Sequence, residues 1–364
     1  MRNDMKQLGI TCGLVTALLC ISSCSGALTP GQEGSLRLVI SDGGATKVSD
    51  VTALDYEKQI NNLQVFLFDE SALYSYERLD TQGESFPFTR TYPGVRAGDY
   101  KVYVVANAAD LRGVTTEAAL LETAVHLSDC GLDASQGFVM VGSGTVTVEE
   151  TEVRLAVDLC RFAARIRLVS IENQVPSSYA NGGSVTVKGV FLINALGSWK
   201  LSGSGNATEW VNLGGRLEGR QASDQRSDFL VSEGQVHPAL YRSQVFRGGS
   251  ATLARGRRAD YSDCCLYTFP NGVTADQTGP AATLTSGALT RLVVLAHVDG
   301  EDWWYPVTLF KEGRGPQRNT TSDVKLILRA TGSSDPNEPV GTGSLEATVS
   351  VKGWLNGTKY TEPL

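Results

Sequence analysis

Cys24 is the residue whose chemistry the sequence defines best. It closes the tetrapeptide Ile-Ser-Ser-Cys, which resembles a lipobox, the motif in which a cysteine thiol is acylated by a fatty acid such as palmitate and becomes the new N-terminus. Residues 1–23 have the form of a signal peptide, because Arg2 and Lys6 precede an apolar run that is too short to span a bilayer comfortably. We therefore predict that Cys24 anchors a precursor to a membrane. The alternative is an ordinary signal peptide with an incidental cysteine.

Lys47 marks a second site of covalent processing. It ends the loop 42–47, which contains two adjacent glycines and is therefore flexible. Flexible polar loops are where proteolysis concentrates, and a basic side chain at the end of the loop is one that a protease can recognise. We predict a cut between Lys47 and Val48, which would release residues 24–47 together with the lipid.

The segment that this cut would release contains a short strand. Leu36, Leu38 and Ile40 alternate with Arg37 and Val39, which is the period of a β-strand with one buried face. We predict that the three apolar side chains face a core and that the strand is removable.

No residue pattern supports an enzyme. The sequence has no G-x-S-x-G turn, no H-E-x-x-H helix and no phosphate-binding glycine loop, and its three histidines are far apart. We predict no catalytic residue, no cofactor and no metal, and an active site assembled from distant residues is the alternative. Trp303, Trp304 and Tyr305 could stack on a sugar, but we predict that they fill the core of a sandwich.

Length and composition favour a two-domain, all-β protein. The 364 residues suggest about two domains, and strand-forming residues are frequent while long helical periodicity is scarce. Hydrophobic residues make up 41%, which is enough for a sizeable core, and the net charge of −7 argues against nucleic acid as a partner. Outside the leader, we predict buried thiols rather than disulfides for the remaining cysteines, Cys130, Cys160, Cys264 and Cys265.

The first half contains the clearest strands and one convincing helix. Residues 62–69 form a predicted strand that is apolar on both faces at its end, as a central sandwich strand is. Residues 100–107 are the strongest β run of the first half. The helix is predicted over residues 115–125, with a threonine cap. Its apolar residues recur at helical spacing, namely Ala118, Leu121 and Val125.

The second half begins with an alternating strand over residues 160–171. It carries arginines on one face, at Arg161, Arg165 and Arg167. Further on, residues 289–298 and 304–310 flank Asp299-Gly300 and predict a hairpin. The last strand has its apolar face at Leu345, Ala347, Val349 and Val351, and it ends at Trp354.

The order of these motifs resembles that of the Bacteroidetes fimbrillins, which are the subunits of type V pili. The resemblance runs over nearly the whole chain. The segments that carry it are Cys24, residues 36–40, Glu57 with Ile60 and residues 63–69, residues 98–107, residues 159–166, residues 267–271, residues 305–307, Arg318-Asn319, residues 331–336 with Pro339, and residues 351–354.

The resemblance implies two transthyretin-like β-sandwich domains in tandem, with the short helix in the first. The chain would divide into a signal peptide (1–23), a propeptide with the removable strand (24–47), and sandwiches at 48–158 and 159–364. It also implies a route: lipoprotein export to the outer membrane, proteolytic removal of the first strand, and polymerisation by donor-strand exchange into a cell-surface fimbria. The implied partners are other copies of the chain and accessory fimbrial subunits.

The C-terminal segment is the candidate donor in that route. It is last in the chain and can swing out without breaking internal connections. Its apolar residues, Leu345, Val349, Val351 and Trp354, would enter the vacated groove of another subunit.

One departure from the family leaves the role open. Major subunits of the family are typically cut after Arg in this loop, whereas this chain has Lys47, and Arg37 lies inside the strand where a protease would reach it poorly. An uncut, lipidated subunit would be a pilus anchor. A tip accessory subunit that binds a glycan or a host protein receptor is a further alternative. We favour the polymerising subunit, because the chain has little length to spare for an extra domain.

Overall fold

The structure is a computed structural model of the chain. It describes residues 32–42, 57, 59–82, 84, 86–127, 130, 137–203, 210–212, 251–276 and 288–353. Strands dominate these residues, which confirms the predicted all-β class. Within these ranges, no helix is both long enough and apolar enough to cross a membrane.

The first part of the chain forms two sheets. Its strands are β1 (Glu33–Ser41), β2 (Asn62–Asp69), β3 (Ala72–Asp80), β4 (Phe88–Arg96), β5 (Gly98–Ala106), β6 (Ala124–His126), β7 (Met140–Val148), β8 (Glu152–Asp158) and β9 (Cys160–Arg161). One sheet has the order β4-β1-β8 and the other the order β3-β2-β5-β7-β9.

These two sheets enclose a common core, as the two layers of a β-sandwich do. Leu36, Leu38 and Ile40 of β1 belong to one apolar cluster with inward side chains of β2, β5, β7 and β8. Because side chains of a strand alternate between faces, Phe66 and Phe68 of β2 point away from this core and belong to a second cluster.

The helix of the first part is shorter than predicted. It is α1 (Glu117–Glu122), and Thr116 caps it by accepting a hydrogen bond from the backbone amide of Ala119. The buried residue is Leu120, not the predicted Ala118 or Leu121. The predicted extension to Val125 is wrong, because the chain leaves the helix at Thr123 and Val125 pairs with Trp199 in a two-stranded ribbon.

The second part of the chain forms two further sheets. Its elements are β10 (Ala164–Asn173), α2 (Ala180–Gly183), β11 (Val185–Ile193), β12 (Ala195–Leu196), β13 (Ser198–Lys200), β14 (Trp210–Val211), β15 (Ala251–Leu253), β16 (Arg258–Thr268), β17 (Arg291–Val298), β18 (Glu301–Thr308), β19 (Thr320–Leu328) and β20 (Leu345–Gly353). The two large sheets have the orders β16-β10-β19-β20 and β15-β11-β17-β18, β12 pairs with β14, and β13 pairs with β6 of the first part. In α2, Asn181 and Gly182 have positive φ, so this short element is a turn rather than a regular helix.

The two parts share one strand arrangement. β1 is antiparallel to β4 and parallel to β8, and β10 is antiparallel to β16 and parallel to β19. In the second part, β20 adds one more strand outside β19 and forms the edge of its sheet. The strand β9 pairs with β7, so the first set of sheets extends to Arg161. The boundary between residues 158 and 159 stays a prediction.

An apolar interface joins the two parts. The second cluster contains Phe66, Phe68 and Phe138 from the first part together with most of the core of the second part. Phe138 and Tyr267 meet across it, with ring centroids 4.7 Å apart. Part of the outer face of the five-stranded sheet is therefore buried by contact with the second part.

Several local predictions for the second part are confirmed. The hairpin of β17 and β18 turns at Asp299 and Gly300, which both have positive φ as a type I′ turn requires. Trp304 and Tyr305 are buried, as predicted for core residues, while Trp303 is half-buried and packs against the same core. The cysteines of the described chain, Cys130, Cys160, Cys264 and Cys265, are buried thiols.

Candidate functional site

The first candidate site is the position of β1 between two strands. β1 pairs with β4 from Glu33 to Ile40 and with β8 from Ser35 to Ser41, so both of its backbone edges are hydrogen-bonded. We call the space that β1 fills between β4 and β8 the β1 groove. Without β1, the facing edges of β4 and β8 would present unpaired backbone groups, which invite pairing with another strand.

The buried face of β1 is the one that the sequence predicts. Leu36, Leu38 and Ile40 are fully buried, while Arg37 is exposed and Val39 is half-buried. At about 2 kcal/mol for each buried side chain, the three together contribute roughly 6 kcal/mol of burial free energy. A strand that takes the place of β1 must supply apolar side chains at the same three positions.

Contacts at its two ends fix the length of β1. At the start, the amide of Ala97 donates to the carbonyl of Gln32 over 2.7 Å. At the end, the amide of Leu159 donates to the carbonyl of Ser41 over 2.9 Å, and the Ser41 hydroxyl donates to Asp158. The described part of the loop that follows ends at Asp42, so the cut predicted between Lys47 and Val48 lies outside the described residues.

The groove has no space for a side chain at Gly34. The strand has a bulge between Gly34 and Ser35. A Cβ atom at Gly34 would lie 1.7 Å from the carbonyl oxygen of Glu149, in the turn between β7 and β8. Because the obstacle is backbone, it cannot rotate away, and only glycine fits at this point of the groove.

The second candidate site is a buried polar cluster where the two parts meet. Its centre is Glu57, which is fully buried. The Glu57 carboxylate accepts hydrogen bonds from Arg165 Nη1 and from the Tyr267 hydroxyl, each over 2.7 Å. The Glu57 carbonyl accepts from Arg161 Nε and Nη2 over 2.9 and 2.7 Å. The carboxylate is thus paired and hydrogen-bonded, as a buried charge must be.

The arginines of this region are buried rather than solvated. Burial lowers the pKa of the Arg161 guanidinium below its ordinary value, and the nearby Glu57 carboxylate opposes that shift. Arg165 Nε also donates to the Thr321 hydroxyl over 3.0 Å, which links the cluster to β19. Further along β10, Arg167 makes two hydrogen bonds of 2.7 Å to Asp323. These contacts hold β10 and β19 in place relative to Glu57.

The predicted donor residues lie in the edge strand β20. Leu345 is buried, Val349 is half-buried and Val351 is 47% exposed, so contact with the subunit's own core decreases along the strand. The Lys352 ammonium lies 3.2 Å from Asp323 and ties the end of β20 to β19. Cys24 and Trp354 lie outside the described residues. The structure does not bring β20 and β1 into one sheet.

Residues that carry enzyme or metal chemistry are not gathered in either site. Within the described ranges, no group of three or more His, Cys, Asp or Glu side chains is arranged to hold a metal ion. His297 pairs with Asp302 at 2.7 Å, and Lys188 holds the same carboxylate over 2.7 Å. Burial alone would raise the pKa of Asp302, but these two partners hold it below its usual value. This is a surface ion-pair network on β11, β17 and β18.

Comparisons with known proteins find the same fold in solved structures and a family model that matches part of this chain. Residues 33–162 match the family model described as the major fimbrial subunit protein (FimA). A candidate cell adhesion protein from Parabacteroides distasonis superposes with a TM-score of 0.60 at 19% identity, over 91% of this chain and 99% of that one. A candidate cell adhesion protein from Bacteroides eggerthii gives 0.59 at 22% identity, over 90% and 98%. A fimbrilin from Porphyromonas gingivalis gives 0.57 at 13% identity, over 90% and 99%. A sequence comparison with curated proteins finds no match to this chain.

Proposed function

We propose that this chain is a structural subunit of a cell-surface fimbria and polymerises by donor-strand exchange, because its residues 33–162 match the model of the major fimbrial subunit family. It would be exported as a lipoprotein through Cys24 and held at the outer membrane. Cleavage between Lys47 and Val48 would then remove residues 24–47. As a subunit of this kind it would associate with copies of itself and with accessory subunits.

The position of β1 is the observation that carries the proposal. β1 contributes three fully buried side chains to the core and is paired along both edges, yet it lies in the first short segment of the described chain. A single cut at residue 47 would free it without interrupting any other described strand. The cut would remove the lipid anchor and open the groove in one event, which couples release from the membrane to assembly.

The donor in this proposal is the C-terminal segment, with Leu345, Val349, Val351 and Trp354 as its apolar residues. Its described part is an edge strand, which makes backbone hydrogen bonds along one side only. An edge strand can leave its sheet at lower cost than a central one and can pair with another chain.

Limited proteolysis of the purified precursor tests the proposal. A Lys-specific protease should convert wild-type monomer into ladders that resist detergent, and a variant truncated after Thr342, which lacks the donor residues, should stay monomeric after the same cut. A Lys47→Gln variant is the control, because it removes the predicted cleavage site and leaves every other lysine in place. Cut wild-type protein that stays monomeric would contradict polymerisation by strand exchange.

A pilus anchor is the second candidate function. It is favoured by the departure at residue 47, where this chain has Lys in place of the Arg at which major subunits of the family are typically cut. In that case mature protein from cells would keep Cys24 and its fatty acid. N-terminal sequencing of the cell-surface protein separates the two, since the polymerising subunit begins at Val48.

A further inference from the structure

We propose that the donor enters the β1 groove in one register, in which residues 343–350 of a second copy of this chain replace residues 34–41. The strand would run in the same direction as β1, with Gly343 at the place of Gly34 and Leu345 at the place of Leu36. The inference rests on the proposed function, because it specifies which donor residues the groove selects. Gly34 and Gly343 are its specificity-determining residues.

The first argument is that the groove has no space for a side chain at Gly34. The Glu149 carbonyl oxygen would lie 1.7 Å from any Cβ there, and Val148 Cγ1 would lie at 3.1 Å. The φ angle of Gly34 is not among the positive ones, so lack of space and not backbone conformation excludes other residues. A donor that fills the whole length of the groove must therefore carry glycine at this position.

The second argument is the spacing of apolar residues behind that glycine. In β1, the apolar residues follow Gly34 at intervals of two, at Leu36, Leu38 and Ile40. In the C-terminal segment, they follow Gly343 in the same way, at Leu345, Ala347 and Val349. The two segments read GSLRLVIS and GSLEATVS. From Gly341 to the C-terminus, no other glycine is followed by apolar residues at all three positions.

The third argument is charge on the outer face. Arg37 stands opposite Arg154 of β8 in the parallel register, which is a like-charge pair across two strands. Glu346 would take the place of Arg37 and convert this pair into one of opposite charges, which is favourable on a sheet surface. The exchange gives up the exposed ion pair of Arg37 with Glu152, whose charged atoms lie 3.8 Å apart. Exposed ion pairs of that kind contribute little.

The fourth argument is burial. In its own subunit Leu345 is buried, Ala347 is exposed and Val349 is half-buried. The three groove positions that they would occupy are all fully buried. Transfer to the groove thus removes apolar surface of the donor from water, which favours association. At the end of the groove, Ser350 would offer Asp158 the hydroxyl that Ser41 donates in the precursor.

Two matched glycine variants test the register. A Cβ atom at Gly343 or at Gly341 meets nothing within 4 Å in the subunit, and neither glycine has a positive φ. Gly343→Ala and Gly341→Ala should therefore both fold and be cut like wild type. After cleavage by the Lys-specific protease, we expect the yield of detergent-resistant ladders to fall at least tenfold for Gly343→Ala and to stay unchanged for Gly341→Ala.

The other outcomes separate this inference from the proposed function. Equal ladders from wild type and both variants would overturn the register and leave strand exchange intact. Loss of ladders in Gly341→Ala alone would overturn it in favour of a register shifted by two residues. If cut wild-type protein forms no ladder, the proposed function fails and the register fails with it.

A second pair of variants tests the register through a gain in the thermal stability of the ladders instead of a loss in their yield. Ala347 would leave part of the space of Leu38 empty, so Ala347→Leu should fill it and raise the temperature at which ladders dissociate. Thr348→Leu is the matched control, because Thr348 is also exposed in the subunit but would point outward in the groove. A rise for Thr348→Leu that equals the rise for Ala347→Leu would contradict the register.

Discussion

At the scale of single residues, Glu57 connects parts of the chain that the sequence keeps far apart. Its carboxylate is bound by Arg165 and Tyr267, at separations of 108 and 210 residues. The sequence places Arg161, Arg165 and Arg167 on one strand face, but their burial could not be predicted, because an alternating pattern does not identify the partner of a charge. A separation of more than a hundred residues leaves no local signal.

We expect Glu57→Gln to lower the free energy of unfolding by about 3 kcal/mol, because it leaves Arg165 buried without its counter-charge. The measurement is urea unfolding of the purified precursor at neutral pH. The control is Glu152→Gln, whose carboxylate forms an exposed ion pair with Arg37 and should matter by less than about 1 kcal/mol. Equal effects of the two substitutions would contradict a structural role for the buried cluster.

At the scale of elements, strands with alternating apolar residues were the predictable part. The predicted strand at residues 36–40 lies inside β1, and its three apolar residues are the buried ones. Helix α1 is shorter than the sequence predicts. Val125 continues the helical spacing by coincidence, and its backbone pairs with Trp199 in a ribbon. Ribbon pairing with a segment more than seventy residues away overrides local helical periodicity, which is a weak determinant.

The cap of α1 gives a prediction at this scale. Thr116→Ala removes the hydroxyl that accepts from the Ala119 amide over 3.1 Å, and we expect a loss of about 1 kcal/mol in stability. Thr115→Ala is the matched control, since in the described contacts Thr115 takes part through its backbone carbonyl. Thermal unfolding followed by circular dichroism measures both, and an equal loss for the two would show that the cap has no separate role.

At the scale of the whole molecule, the apolar interface makes the two parts depend on each other. The family resemblance implies two sandwiches in tandem, but the sequence does not predict that Phe66, Phe68 and Phe138 turn away from the first core to meet the second. Both faces of strand β2 are apolar, and that pattern is equally consistent with a buried interface and with a central strand. The identity of the covering surface depends on the three-dimensional arrangement alone.

Phe138→Ala tests this dependence. Phe138 is fully buried against Tyr267, and its truncation should cost about 3–5 kcal/mol. Calorimetry of wild type should show one cooperative transition, and the variant should show two separated ones. Val351→Ala is the control, because Val351 is 47% exposed and its truncation should leave the single transition in place. Two transitions already present in wild type would contradict the coupling.

The parallel pairing of β1 with β8 also sets an order of events for the folding chain. Ser41 meets Asp158 at a separation of 117 residues, so β1 has no partner on this side until almost the whole first sandwich has emerged. Contacts between such distant residues form late, because a long loop must close first. β1, the first described strand of the chain, is therefore among the last strands of the first sandwich to join its sheet. A protease that acted on Lys47 before that moment would produce a subunit whose groove had never held its own strand.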